Sequence, residues 1–183
     1  MKTTMLLVFV LFFMAINIHA QTNSQVPPKY DKASFGLGIG MDYGGFGASF
    51  ILYPQKNFGL FAAGGYNFVG FGYNAGFKAR IVSDKKFTRA AFYMTGMYGY
   101  NAVIKVENSE NLNKIFYGPT LGLGIDFNPG QESKWYTNIG LLVPIRSSEV
   151  DEYMENLENN YGVEFKNDLP PIGISLGFRF IIR

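Results

Sequence analysis

An all-β chain that closes as an eight-stranded, antiparallel, up-and-down transmembrane β-barrel is predicted by three observations. The first is strict alternation in the last stretch. Ile172, Ile174, Leu176, Phe178, Phe180 and Ile182 share one face, and Gly173, Ser175, Gly177, Arg179 and Arg183 share the other, with Ile181 the exception. Alternation of this kind makes a strand with two unlike faces. The second is that the non-apolar face is glycine, serine and arginine, too thin and too charged for a dry core, so the apolar face is expected to look outward into lipid. The third is that apolar residues make up 48% of the chain, yet no stretch after the N-terminus reads as a spanning helix. Hydrophobicity hidden in alternation is the bulk signature of a membrane barrel.

The N-terminus reads as a secretory signal over residues 1–20: Met1-Lys2, an apolar run over residues 5–16, then Ile18-His19-Ala20 before Gln21. A basic start, a short apolar core and a small residue at the cut fit export, and the run is short for a membrane anchor. Residues 21–32 are polar, hold Pro27-Pro28 and read as a flexible leader. The remaining residues 33–183 form one barrel domain.

Charge and composition exclude several functions. Net charge is +2, and cleavage would lower it by the one unit of Lys2, which leaves no nucleic-acid footprint. Cleavage would also remove His19, the only histidine, from a chain with no cysteine. No disulfide framework, Ser-His or Cys-His nucleophile or ordinary zinc site remains. The chain is therefore expected to be non-enzymatic and to need no cofactor or metal.

Eight alternating segments follow in order. Residues 35–43 place Phe35, Leu37, Ile39, Met41 and Tyr43 on the lipid face, and Gly44-Gly45 turns the chain. Residues 46–53 point Ile51 and Tyr53 inward, and residues 54–57 make a turn. Residues 58–66 alternate poorly, because Leu60 and Phe61 cannot both face lipid. Residues 71–82 alternate best: Phe71, Tyr73, Ala75, Phe77, Ala79 and Ile81 outward, Gly72, Asn74, Gly76, Lys78 and Arg80 inward. Two inner cations would not sit unpaired in a soluble core, but suit an ion-paired or watered lumen.

After a polar turn at 83–86, residues 88–104 place Ala90, Phe92, Met94, Tyr98, Tyr100 and Ala102 outward, with Arg89, Tyr93, Thr95 and Asn101 inward. Residues 115–127 alternate Tyr117, Pro119, Leu121, Leu123, Ile125 and Phe127 with Gly118, Thr120, Gly122, Gly124 and Asp126. Pro119 removes a ladder donor. Asn128-Pro129-Gly130 is a strong turn signal. Residues 135–146 make the seventh strand and residues 172–183 the eighth.

The longest connection, residues 147–171, carries Val150, Tyr153, Met154, Leu157 and Tyr161 at helical spacing, with Ser148 to start the helix and Gly162 to end it. Its other face is acidic: Glu149, Asp151, Glu152, Glu155 and Glu158. This short helix is expected in the last extracellular loop, its stripe of Val150, Tyr153, Met154 and Leu157 packing on the barrel rim or meeting an extracellular partner. An even strand count puts both chain ends on the periplasmic side. The two longest connections then fall outside the cell.

Lipid cannot hydrogen-bond a backbone, so a spanning sheet must close. Tyr43, Phe46, Phe71, Tyr73, Tyr117, Phe127, Trp135 and Phe180 near strand ends are candidates for aromatic girdles. Eight strands enclose a lumen that side chains can fill. Lys78, Arg80, Arg89, Asp126 and Arg179 are expected in its periplasmic half as an ion-pair cluster, with Asp126 pairing one or more of Arg80, Arg89 and Arg179. Asp42 and Arg146 are expected as polar groups at the outer mouth.

With its signal, its eight alternating segments and the aromatic pattern of Leu176, Phe178, Phe180 and Ile182, the chain resembles the small eight-stranded outer-membrane barrels of Gram-negative bacteria, the outer membrane protein A-type and X-type family. The family usually ends on an aromatic residue, where Arg183 stands here. The resemblance implies residence in the cell outer membrane among its lipids, insertion by the outer-membrane assembly machinery through the final strand, and a role in envelope integrity, adhesion or host contact. Alternative readings are a narrow, weakly anion-preferring channel, for which inner glycines leave space, and a secreted soluble barrel carrying a lipophilic ligand.

Overall fold

The computed structural model describes residues 31–81, 90–107, 109–129, 133–165 and 169–182. The signal at 1–20, most of the leader, the turn at 83–86, and Arg89 and Arg183 lie outside these residues. Eight strands form one closed, wholly antiparallel barrel in sequence order: β1 (Ala33–Gly40), β2 (Gly45–Gln55), β3 (Phe58–Tyr66), β4 (Phe71–Ile81), β5 (Ala90–Ile104), β6 (Lys114–Phe127), β7 (Trp135–Pro144) and β8 (Gly173–Ile182). The first and last strands close the sheet, from Ala33 opposite Ile182 to Ile39 opposite Leu176. One helix, α1 (Ser148–Tyr161), lies between β7 and β8. The ends of β1 and β8, the β2–β3 turn and the β6–β7 connection lie at one end of the barrel, called here the turn end. The β3–β4 turn, the β5–β6 connection and α1 lie at the other, the loop end.

The two faces of the wall have the polarity that the alternation predicts. Phe77 and Leu176 stand outside, 43% and 54% exposed, while Lys78 and Arg179 point inward at 4% and 2%. Outward rings pair across strands: Tyr73 stacks on Tyr117 with centroids 4.8 Å apart, and Trp135 on Phe178 at 5.0 Å. The awkward third strand resolves with Leu60 outside and Phe61 inside. Pro119 sits within β6, opposite Tyr98 of β5, and its carbonyl accepts from Ile145 N–H at 2.9 Å. The proline therefore leaves the sheet intact on both sides.

Two readings of the alternation and one of the helix fail locally. The first strand stops at Gly40, and Met41–Tyr43 forms a single 3-10 turn. That turn folds into the barrel, where it touches β1 to β5 and β8. Tyr43, expected in a lipid-facing girdle, is fully buried. The glycines on either side of the turn make this fold-back feasible. Gly44 ends it with φ 72, and a side chain at Gly45 (φ 108) would meet the Tyr66 carbonyl at 2.2 Å. The other girdle candidates, Phe46, Phe71, Tyr73, Tyr117, Phe127, Trp135 and Phe180, are all exposed.

The second failure is Ala102, expected outward and found buried. The β5–β6 register shifts between Tyr100 and Ala102, with Tyr100 opposite Tyr117 but Ala102 opposite Phe116. One extra residue on β5 is a bulge, and it reverses the facing of everything beyond it. Ala102 and Ile104 are thereby turned under α1.

The third concerns the helix. Its cap residue is Ser147 rather than Ser148, and the serine side chain makes no capping bond. Gly162 ends it in the left-handed region, as expected, with φ 64. Val150 and Leu157 are buried against Ala102, Ile104, Val106 and Phe116, with Tyr153 and Met154 half-buried beside them. Tyr161 is exposed and leaves the stripe. The stripe therefore covers the loop-end rim, and the acidic face looks out. Lys114 of β6 binds one of its acids, Glu149, at 2.8 Å.

Candidate functional site

The inward positions of the barrel build one connected polar network. On β4, Lys78 and Arg80 are two residues apart and so share the inner face. Asp126, at the turn end of β6, reaches both. Its Oδ1 accepts from Lys78 Nζ at 2.6 Å, and its Oδ2 from Arg80 Nε at 2.7 Å. Arg80 also donates to both carboxylate oxygens of Asp31, and through Nη2 to the Tyr136 hydroxyl at 2.7 Å. Rings complete the enclosure: Lys78 Nζ lies 3.7 Å from the Tyr93 centroid, and the Arg80 guanidinium 4.3 Å from that of Tyr53. Such burial is tolerable because every charge has an opposite partner and a further polar or aromatic neighbour.

Arg179 is held differently. It forms no ion pair among the described residues. It donates to the Ser34 and Ser49 hydroxyls at 3.0 and 3.3 Å, to the Ser34 and Ser49 carbonyls, both at 3.2 Å, and to the Tyr43 hydroxyl at 3.2 Å. Tyr43 in turn donates to Asn138 Oδ1 at 2.9 Å. The Ser34 and Tyr136 hydroxyls lie 3.2 Å apart, which joins this group to the Arg80 cluster. Tyr43, brought in by the folded turn, is thus a second bridge across the lumen.

The inner glycines do not leave open space. A side chain at Gly36 would meet Arg179 at 2.7 Å, and one at Gly177 would meet the Tyr43 hydroxyl at 2.0 Å. Gly124 faces Tyr93 in the same way at 2.3 Å. Each of these three glycines makes room for a large side chain from another segment of the chain. Beyond the ionic cluster, Ile51, Tyr53, Phe61, Met97 and Leu142 pack together with Met41 and Ala63. Among the described residues, the lumen holds an ionic layer and an apolar layer.

Of the residues expected in the ion-pair cluster, Lys78, Arg80 and Asp126 are in mutual contact, Arg179 lies beside them on neutral partners, and Arg89 is outside the described residues. Asp42 is half-buried on the inward turn at the loop end of β1 and β2, and its Oδ1 is buried with no hydrogen-bond partner among the described residues. Arg146 does sit at the loop end, where its Nη1 and Nη2 donate to the Leu169 and Pro170 carbonyls at 3.3 and 2.7 Å. Partial burial lowers its pKa from the ordinary arginine value, against the pull of Asp151 and Tyr100.

Asp31 was not anticipated, since it falls in the segment that reads as leader. Tyr136 and Asn138 were legible in principle: they share the inner parity of β7, which puts them opposite Arg179 and Gly177 of β8. Among the described residues, no group of three or more His, Cys, Asp and Glu side chains is placed to hold a metal ion. Comparison with known proteins finds no protein family, no curated protein and no solved structure that matches this chain.

Proposed function

We propose that this chain is an integral protein of the Gram-negative outer membrane, exported by its N-terminal signal and inserted by the assembly machinery that reads a final strand. Its barrel is sealed by side chains, it performs no chemistry, and it serves envelope structure or surface contact through its loop end. The observation that carries this reading is the sidedness of the wall: Phe77, Leu176 and the other large apolar residues project outward, while Lys78, Arg80, Asp126 and Arg179 are enclosed. A belt of apolar surface around a whole barrel far exceeds the isolated patches that soluble monomers expose. A closed sheet is also the strand architecture that leaves no unpaired backbone in hydrocarbon. A soluble ligand-carrying barrel would have the reverse polarity.

The packed lumen favours the sealed form over the narrow channel. With the apolar stripe of α1 occupied by the rim, any surface partner would meet its acidic face instead. Envelope fractionation tests the reading. Recovery in the outer membrane, with a gel mobility that shifts on boiling, is the expected result. Recovery as a soluble periplasmic protein would overturn it.

A further inference from the structure

The turn between β3 and β4 holds an aromatic residue out at a cost. Tyr66 and Phe71 form the last rung of the β3–β4 ladder, and the chain turns beyond them through Asn67, Phe68, Val69 and Gly70. Asn67 fixes that turn. It is 1% exposed, its N–H donates to the Gly70 carbonyl at 3.1 Å, and its Oδ1 accepts from Gly70 N–H at 3.1 Å. Phe68 is left with φ 70, where glycine is at ease and a bulky residue is an outlier. At 80% it is also more exposed than any other large apolar residue described, so packing does little to offset the strain. Strained positions of this kind gather at ligand-binding sites.

Phe68 borders an open cleft of about 770 Å³, within the size range of small-molecule sites. Tyr66 and Phe68 line it from the β3–β4 turn, and Lys105, Glu107, Glu110 and Asn113 from the β5–β6 connection. The second side is also set in place: Asn113 Oδ1 accepts from Val106 N–H at 2.7 Å, and Asn113 N–H donates to the Glu110 carbonyl at 3.1 Å. Two carboxylates disfavour an anion, the ammonium disfavours a cation, and four polar side chains disfavour a lipid tail. The lining suits a neutral molecule with an apolar face and many hydroxyls. A sugar ring is such a molecule. The C–H groups of a pyranose lie flat on an aromatic ring, whose face is negative. Its hydroxyls donate to carboxylates and accept from ammonium and amide N–H groups.

We propose that this cleft is a carbohydrate site: a neutral oligosaccharide stacks on Phe68 and Tyr66 and hydrogen-bonds to Lys105, Glu107, Glu110 and Asn113. The strain at Phe68 then serves the ligand and not the fold. The site deepens the surface-contact reading of the loop end by giving it a partner of stated chemistry, and it rests on that reading only for where the sugar is met. Binding itself belongs to the folded chain and is measurable away from any membrane.

The test titrates the isotope-labelled barrel, folded in lauryldimethylamine oxide rather than a sugar-based detergent, with maltotetraose and with cellotetraose. Stacking needs the flat C–H face of a hexose and not one hydroxyl pattern, so glucose chains serve at about 10 mM. At least one of them is expected to shift the backbone amide signals of Phe68, Val69, Lys105 and Glu110 while those of β7 and β8 stay in place. Phe68→Gly is expected to weaken binding about tenfold with the denaturant midpoint unchanged or higher, because glycine relieves the left-handed backbone. Glu110→Gln, on the facing side, is expected to weaken it about threefold. No shift with either sugar, or full binding by Phe68→Gly, would overturn the proposal. Loss of the boiling-dependent gel shift in Phe68→Gly would also count against it, since the ring would then serve the fold. Sugar binding by a barrel recovered outside the outer membrane would sustain the site and sink only its address.

Discussion

The two ends of this barrel are held together by opposite chemistries. At the turn end, Asp31, Lys78, Arg80 and Asp126 form buried ion pairs that join Asp31, just ahead of β1, to β4 and β6. At the loop end, α1 lays Val150 and Leu157 on Ala102, Ile104, Val106 and Phe116, an apolar contact with the polar groups turned outward. With most of its large apolar residues on the outside, the barrel has only one apolar cluster among its described inner residues, and the rest of that interior is polar. The turn end answers with paired charges inside. The loop end packs as a soluble domain does, apolar groups in and acids out. A substitution at one end should therefore act globally, and at the other locally.

The largest effect is expected from Asp126→Asn. It removes the carboxylate shared by Lys78 and Arg80 and leaves buried cations short of a partner, at a cost of about 3–5 kcal/mol. Denaturant titration of the folded barrel in detergent should show the whole transition moving. A loss confined to one strand pair, or none, would break the contrast.

Next comes Leu157→Ala, at about 3 kcal/mol, within the usual range for truncating a buried leucine. Here the loss should be local. Limited proteolysis should cut the β7–β8 connection, while the boiling-dependent gel shift stays as in the unsubstituted protein. A barrel that unfolds with the helix would show the two ends to be one unit.

Tyr43→Phe is expected to cost less, about 1–2 kcal/mol, since it deletes one hydroxyl that donates to Asn138 and accepts from Arg179 while the ring still fills the space against Gly38 and Gly177. The same denaturant titration should register it as a small shift of the whole transition, which would place the inward turn with the turn-end network.

What could be read from the sequence divides along physical lines. Where a strand is long and regular, as at β4 and β8, parity alone sorts Phe77 and Leu176 from Lys78 and Arg179. The helical spacing of Val150, Tyr153, Met154 and Leu157 was equally legible, because a 3.6-residue period survives any choice of partner. Parity fails where the backbone changes course. Met41 and Tyr43 continue the alternation of β1, but the chain leaves the sheet at Gly40. Ala102 keeps its place in the count, but a bulge adds a residue before it.

Sites built from distant segments are harder still. Asp126 and Arg80 were recognisable as inner charges, and Lys78 enters the pair by its position on the same face. Asp31 carries no periodic signal at all, because its partner lies 49 residues away and its own segment has no strand pattern. What stands beside the inner glycines was hidden for a related reason: a glycine reads as empty until the tyrosine or arginine that occupies its space is known.

The central claim is that the apolar wall of this barrel meets hydrocarbon. Trp135, the only tryptophan in the chain, stands on that wall beside Phe178 and is 49% exposed. Its fluorescence in vesicles made with acyl-chain-brominated lipid measures that contact directly. Strong quenching by the brominated lipid, with little by aqueous iodide, is the predicted result. Quenching by iodide alone, in protein that keeps its folded gel mobility, would contradict the account.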